Sequence, residues 1–290
     1  MLVTDPEGTY LDATLGLGGH AGGIVAALGR EGRVIAMDCD PAAVDRASVD
    51  PPAPPPRFTA LRGRFSEIEE VLEPLGIERL DGILADLGLS SDQLDDPARG
   101  LSFAMDGPLD MRLDPSRPRT AEDLLHTLDD RSLERVLSEY GELPRARAAV
   151  RAIRRAQAGG RRLGTAGLRD ALAPLYPGPS RPRRLAQAFQ ALRIAVNAEV
   201  EELESLLASA SRVLRPGGTL CVIAYHSLED RLVKRAFRPA RPVDVWEAPV
   251  ESPWIPLTQK PIRPSEEEVL ANPRARSARL RAARRKEASS

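Results

Sequence analysis

The sequence predicts an α/β protein, a doubly wound parallel sheet with an inserted, mainly helical subdomain. Three observations carry the prediction. Short apolar runs bounded by Gly, Pro and Asp alternate with helical patterns through the first third of the chain. From about Ala104 to Arg184 the strand signal stops. The run TLCVIAY, residues 219–225, then restores it. With 290 residues, 42% of them hydrophobic and 29% charged, the chain has the balance of a globular protein and enough length for one large domain carrying an insert.

The elements follow in order. TYLDATLG supplies the first strand, and a helix follows from about Gly19 to Leu28. RVIAMD, 33–38, is the second strand. Asp40 then caps a helix whose first position suits Pro41, because proline lacks an N–H that would go unbonded there anyway. PPAPPP, 51–56, cannot be helical and reads as a surface connection. RFTALRG is the third strand, FSEIEEVLEPLG a helix after it, and DGILADLG, 81–88, the fourth strand.

The insert is assigned to 104–184, between two parts of the sheet domain at 1–103 and 185–270. Its helical fragments are separated by PSRPR, AGGRRLG and YPGPSRPRR. Beyond it, Phe189, Leu192, Val196, Val200, Leu203, Leu207 and Leu214 fall three to four apart, with one final step of seven. That spacing predicts one long amphipathic helix stopped by RPGG. TLCVIAY is the fifth strand, and further strands are expected near Val243–Trp246 and Trp254–Thr258. Residues 271–290 read as a basic tail.

The net charge is −1, but the charge is segregated. Between Arg145 and Leu185 there are eleven arginines and one acid, Asp170, and Arg274–Lys286 adds six arginines and a lysine. Such blocks point to a phosphate-bearing partner. Arg154, Arg155, Arg161 and Arg162 are the candidate contacts. No apolar run approaches the roughly 18 residues of a bilayer span, and MLVTDPEGTY lacks the regions of a signal peptide, so a cytoplasmic protein without membrane contact is expected. Cys39 and Cys221 read as two reduced thiols, and no Cys/His grouping has metal-ligand spacing, so no metal is expected. Oligomeric state is not legible.

The segment YLDATLGLGGH, 10–20, carries the first chemical signal. Glycines after a first strand let backbone approach a ligand, and Asp38, twenty residues after Gly18, ends the second strand where it can accept hydrogen bonds from ribose hydroxyls. The glycine spacing departs from the dehydrogenase pattern G-x-G-x-x-G. It resembles the D-x-x-x-G-x-G loop of S-adenosylmethionine-dependent methyltransferases, in which the acid, here Asp12, can meet the amino acid part of the cofactor.

Five longer segments sharpen this. DGILADLGLSSDQLDDPARGLSF (81–103), DGPLDMRLDP (106–115), FQALRIAVNAEVEELE (189–204), RPGGTLCVIAYHSLEDRLVKRAF (215–237) and NPRARSARLRAA (272–283) follow one another in an order and spacing that resembles the bacterial ribosomal RNA small subunit methyltransferase H family, RsmH or MraW. The resemblance implies a Rossmann-like methyltransferase sheet, S-adenosylmethionine as cofactor, and methylation of N4 of cytosine 1402 in 16S rRNA, with 16S rRNA or the small ribosomal subunit as partner. It carries cofactor binding to Gly18, Gly19, His20, Asp38, Phe65, Asp86 and Gln93. A segment of the type H-x-P-V-L-L-x-E that opens many members is not in this sequence.

Methyl transfer to a cytosine amine needs an acceptor against the amino hydrogens, because the nitrogen lone pair is delocalised into the ring. Many amino-methyltransferases place D/N-P-P-Y after the fourth strand. Here the corresponding residues are Asp86-Leu87-Gly88-Leu89, so Asp86 or a neighbouring backbone carbonyl is the candidate acceptor, without the following prolines and aromatic ring. His226, after the fifth strand, is a second candidate for proton removal, against a plain strand-end role. A nicotinamide-dependent oxidoreductase and a non-enzymatic rRNA-binding assembly factor are the competing readings.

Overall fold

The computed structural model describes residues 1–238 and 252–287. The chain divides into two compact units, Met1–Gly88 with Val200–Ser290, and Leu89–Glu199.

In the first unit the early apolar runs become strands β1 (Thr9–Asp12), β2 (Arg33–Asp38), β3 (Phe58–Arg62) and β4 (Leu80–Asp86), alternating with helices α1 (Gly19–Ala27), α2 (Pro41–Val49) and α3 (Ile68–Leu72). All of β4 but its last residue is buried, as a strand covered on both faces should be. The start of α2 obeys its sequence: the Asp40 side chain accepts the backbone N–H of Ala42, and Pro41 takes the first position. FSEIEEVLEPLG departs from expectation. Its α-helical part is only Ile68–Leu72, with 3-10 turns at Phe65–Glu67 and Glu73–Leu75. Pro74 sits in the second turn, and its ring cannot continue an α-helix.

The second unit is helical: α4 (Ser91–Asp95), α5 (Ala121–Thr127), α6 (Asp130–Arg135), α7 (Ala146–Ala156), α8 (Thr165–Leu172) and α9 (Arg181–Asn197). It has its own core, in which Leu125, Leu137, Ile153, Leu168, Phe189 and Leu192 are buried together. The unit begins at Leu89 and ends at Glu199, not at 104 and 184, because α9 gives its apolar face (Leu185, Phe189, Leu192, Val196) to this core. The single long helix expected through 189–214 is therefore two. The α9 helix ends at Asn197, and Ala198 turns into the left-handed region, φ 53° and ψ 42°. Asn197 fixes that end by accepting the N–H of Leu113 at 2.8 Å and donating to the Met111 carbonyl at 2.7 Å.

The chain then returns to the first unit through α10 (Glu199–Val213), β5 (Leu214–Ala224), α11 (Ser227–Ala236), β6 (Trp254–Pro256), α12 (Glu266–Ala271) and β7 (Arg279–Arg285). RPGG lies inside the span of β5, where the register against β4 shifts between Leu80 and Gly82. The expected strand at Trp254–Thr258 forms as Trp254–Pro256, while Val243–Trp246 lies outside the described residues. The sheet runs β3-β2-β1-β4-β5-β7-β6. Strands β1 to β5 are parallel, and β7 pairs antiparallel with both β5 and β6.

The basic tail is thus a correction: much of it is a sheet strand. Ala282 and Ala283 are fully buried, and Arg281, only 6% exposed, is paired with Asp230 at 2.6 Å. Arg285 donates to the Leu214 carbonyl. Two adjacent alanines, one on each face, let the strand pack on both sides, and internal partners engage two of its arginines. Among the described residues no helix is long and apolar enough to cross a membrane, and Cys39 and Cys221 are not joined in a disulfide.

Candidate active site

The chain order reverses across the sheet between β1 and β4, and an open α/β sheet receives its ligand beyond the carboxyl ends of the strands at such a switch. There β1 ends on Asp12, β2 on Asp38 and β4 on Asp86.

Asp12 is fully buried. Its Oδ1 accepts the Thr14 N–H at 3.1 Å, whereas its Oδ2 has no hydrogen-bond partner among the described residues. Burial pushes its carboxyl up to about 6, with the Thr14 bond and the nearby imidazole of His20 opposing part of the rise. A buried carboxylate oxygen lacking a donor is costly, and a cationic ligand group would relieve that cost.

The glycine loop follows directly. Gly16 and Gly18 have positive φ, 50° and 81°, a conformation that a side chain would strain. Gly18 leads into α1, whose first turn carries neither a side-chain cap nor an acid, so its leading N–H groups are left for an anionic partner. A Cβ at Gly19 would meet nothing within 4 Å. Asp38 fastens this loop: Oδ2 accepts the Gly16 N–H at 2.8 Å, and Oδ1 accepts the Asp40 N–H at 2.9 Å. Desolvation raises its carboxyl above the usual range. Phe65, half-buried at the turn after β3, packs against the core beside the sheet.

Asp86 is where three elements meet. Its N–H donates to Thr14 Oγ1 at 2.6 Å, tying the ends of β1 and β4 together. Its Oδ1 accepts the Tyr225 hydroxyl at 3.0 Å, and its Oδ2 lies 3.4 Å from His20 Nε2. The bond to Asp86 raises His20 above the ordinary imidazole value. Sequence reasoning passed over Tyr225, although its place just past the fifth strand, one residue before His226, was a usable signal. Burial first, and then the Asp86 carboxylate, hold the Tyr225 hydroxyl well above its ordinary value.

His226 is the N-cap of α11. Its Nδ1 accepts the Glu229 N–H at 3.4 Å, while Glu229 Oε2 accepts the N–H groups of Tyr225 at 2.9 Å and His226 at 3.3 Å. His226 Nε2 lies 3.0 Å from Glu229 Oε1 but is not aligned for a hydrogen bond, so that contact is electrostatic. The geometry gives His226 a capping role before any other.

In the second unit Gln93 completes a capping box with Ser90 on α4, its side chain accepting the Ser90 N–H at 3.1 Å. The four arginines singled out from the sequence divide into two pairs. Arg154 is tied to Asp130 at 2.8 Å, to Gln157 and to the Leu125 and Leu128 carbonyls, and Arg162 to Glu122 and Asp123. Arg155 and Arg161 are exposed. On α7, Arg147 and Arg151 are also exposed and stand with Arg155 at i, i+4 and i+8, opposite the buried Ala149, Val150 and Ile153. Arg147 and Arg151 were missed as individual candidates, although the spacing without any acid in α7 was readable.

Comparison with known proteins gives one family. The MraW methylase family matches residues 1–286. A ribosomal RNA small subunit methyltransferase H of Sorangium cellulosum is 48% identical over 282 residues, covering 96% of this chain and 85% of its own. The protein of the same name from Thermomicrobium roseum is 46% identical over 290 residues, covering 96% and 88%. Among solved structures, a putative rRNA methylase from Clostridium thermocellum covers 96% of this chain and 89% of its own at a TM-score of 0.42 and 12% identity, too low to bear on the argument.

Proposed function

We propose that this chain, which belongs to the MraW methylase family, transfers a methyl group from S-adenosylmethionine to N4 of a cytosine in 16S rRNA. One observation carries the reading. The ends of the adjacent strands β1 and β4 hold two carboxylates of different character, Asp12 buried with an unsatisfied oxygen and Asp86 held as an acceptor by neighbours on both sides.

The residues present fit the cofactor. Asp12 Oδ2 suits an ammonium group, and the start of α1, where Gly18 spends its N–H on the Leu15 carbonyl and Gly19 and His20 lead the helix, suits a carboxylate, the two charges of an amino acid. Asp38 accepts from the Gly16 and Asp40 N–H groups and from the Cys39 side chain, and its remaining lone pair suits a ribose hydroxyl. Phe65 offers a ring for the adenine. When bound, S-adenosylmethionine supplies a methyl carbon that is open to in-line attack.

Asp86 does the work on the acceptor. Its carboxylate takes a hydrogen bond from the cytosine amine, localises the nitrogen lone pair and balances the charge that grows on nitrogen. His20, held above its ordinary value beside Asp86, keeps that carboxylate paired until substrate arrives. His226 acts by capping α11 and so fixing the backbone after β5. The second unit grips RNA phosphates through Arg147, Arg151, Arg155 and Arg161.

The test uses S-adenosylmethionine with a labelled methyl group, offered in parallel to small subunits that lack the modification and to naked 16S rRNA. Labelled N4-methylcytidine in the nucleoside digest is the expected result, with Asp86→Asn reducing it by about 10²-fold or more while cofactor still binds. Binding of NADH in place of S-adenosylmethionine would support the oxidoreductase reading. Cofactor binding without label on either substrate would support a binding role.

A further inference from the structure

We infer that Tyr225 is a positioning residue for the methyl transfer: its hydroxyl orients the Asp86 carboxylate so that one oxygen faces the substrate amine. The inference rests on the reading of Asp86 as the acceptor.

The loop after β4, Asp86-Leu87-Gly88, has no aromatic ring of its own. The structure supplies one from the neighbouring strand. Tyr225 directly follows β5, and its ring lies against Gly88, where a Cβ would come 3.4 Å from Tyr225 Cδ2 and 3.9 Å from Cε2. Gly88 itself has φ 110°, so a side chain there would be strained and would also press on the ring. The absence of that side chain admits the ring, and the ring carries the hydroxyl to 3.0 Å from Asp86 Oδ1.

The other end of Tyr225 is fixed as well. Its backbone N–H donates to Glu229 Oε2 at 2.9 Å, and Glu229, 6% exposed, is locked in the capping box of α11. A second tie joins the same two strands, the Leu87 N–H to the Ile223 carbonyl at 2.9 Å. Tyr225 is therefore held at both ends, while the Asp86 carboxyl turns about two side-chain torsions, the second of which sets its plane. Among the described residues, Asp86 Oδ1 is taken by Tyr225, and Oδ2 is met at 3.4 Å by a half-exposed His20. Oδ2 is the oxygen that an arriving amine can claim. Without the hydroxyl the carboxylate is free to rotate, and the productive orientation is populated for a smaller share of the time.

The experiment compares Tyr225→Phe, Tyr225→Leu and Asp86→Asn in the full chain, measuring S-adenosylmethionine affinity by calorimetry, melting temperature, and kcat and KM for methylation of unmodified small subunits. Tyr225→Phe should keep the melting temperature and the cofactor affinity within twofold. It should lower kcat by about 10- to 100-fold, the scale of misplacing a reacting group, with KM changed less than threefold. Tyr225→Leu should lose melting temperature in addition. If Phe restores kcat together with stability, Tyr225 only packs, and the inference is overturned. If Asp86→Asn retains full kcat, the acceptor reading itself fails. If Asp86→Asn loses activity while Tyr225→Phe does not, only the positioning role falls.

Discussion

At the scale of the residue, Asp12 and Asp86 show how two identical carboxyls acquire different uses. Asp12 is fully buried with one oxygen unpartnered, and its carboxyl is pushed up to about 6. A carboxyl whose folded value lies above its unfolded one is a destabilising charge once ionised: stability is highest at low pH and falls as pH rises through the window from about 4 to about 6. A shift of this size is on the order of 3 kcal/mol. An ammonium at Oδ2 would reverse the preference, so cofactor affinity should fall as pH drops below about 6, with a proton released on binding near that pH. Calorimetry in buffers of different ionisation enthalpy counts that proton. Asp12→Asn should raise the melting temperature of the ligand-free chain at pH 7.5 while weakening the cofactor and removing the pH dependence. A variant that binds with the wild-type pH profile would exclude Asp12 from the ligand.

At the scale of the element, α7 separates two kinds of arginine. Arg154 satisfies carbonyl groups of Leu125 and Leu128 and an acid on α6, so it belongs to the helical core's own bonding. Arg147, Arg151 and Arg155 line the exposed face, and α7 has no acid to offset them. Like charges at i, i+4 cost a helix about 0.2–0.5 kcal/mol per pair, a cost that a bound RNA backbone would offset by counterion release. Replacing these three by Gln should weaken RNA binding and lower the salt slope by about 2, leaving S-adenosylmethionine affinity unchanged. Arg154→Gln should instead lower the melting temperature. An unchanged salt slope in the triple variant would remove α7 from the RNA contact. The strand β7 makes a similar point. Its basic composition suggested a tail, yet its alanines are buried and its Arg281 is paired within the sheet domain.

At the scale of the whole molecule, the chain leaves the sheet once and returns once, at Gly88 and Val200. The intervening 89–199 is continuous in sequence and has a core of its own, from Leu101 and Leu109 to Leu192 and Val196. Expressed alone, it should fold into a helical domain that melts cooperatively and binds RNA without binding S-adenosylmethionine, as circular dichroism and calorimetry can check. A fragment with no cooperative transition would mean that this core needs the sheet unit to form.

The sequence by itself determined the α/β alternation, the glycine loop with Asp12 and Asp38, the cap of α2, and the family through its five long segments, because these rest on local periodicity, backbone freedom and spacing that neighbouring residues enforce. It also marked Asp86 by its place at the end of a strand. Only the tertiary structure decided that α9 ends at Asn197, where Met111 and Leu113 from a distant loop hold the turn, that the arginine-rich end is a strand paired with β5 and β6, and that Tyr225 meets Asp86 from 139 residues away. Each of these depends on a partner that the folded chain brings close, across the sheet for β7 and Tyr225 and within the helical unit for Asn197, and a hydrogen bond or a strand pairing across that separation leaves no mark on the residues beside it in the chain.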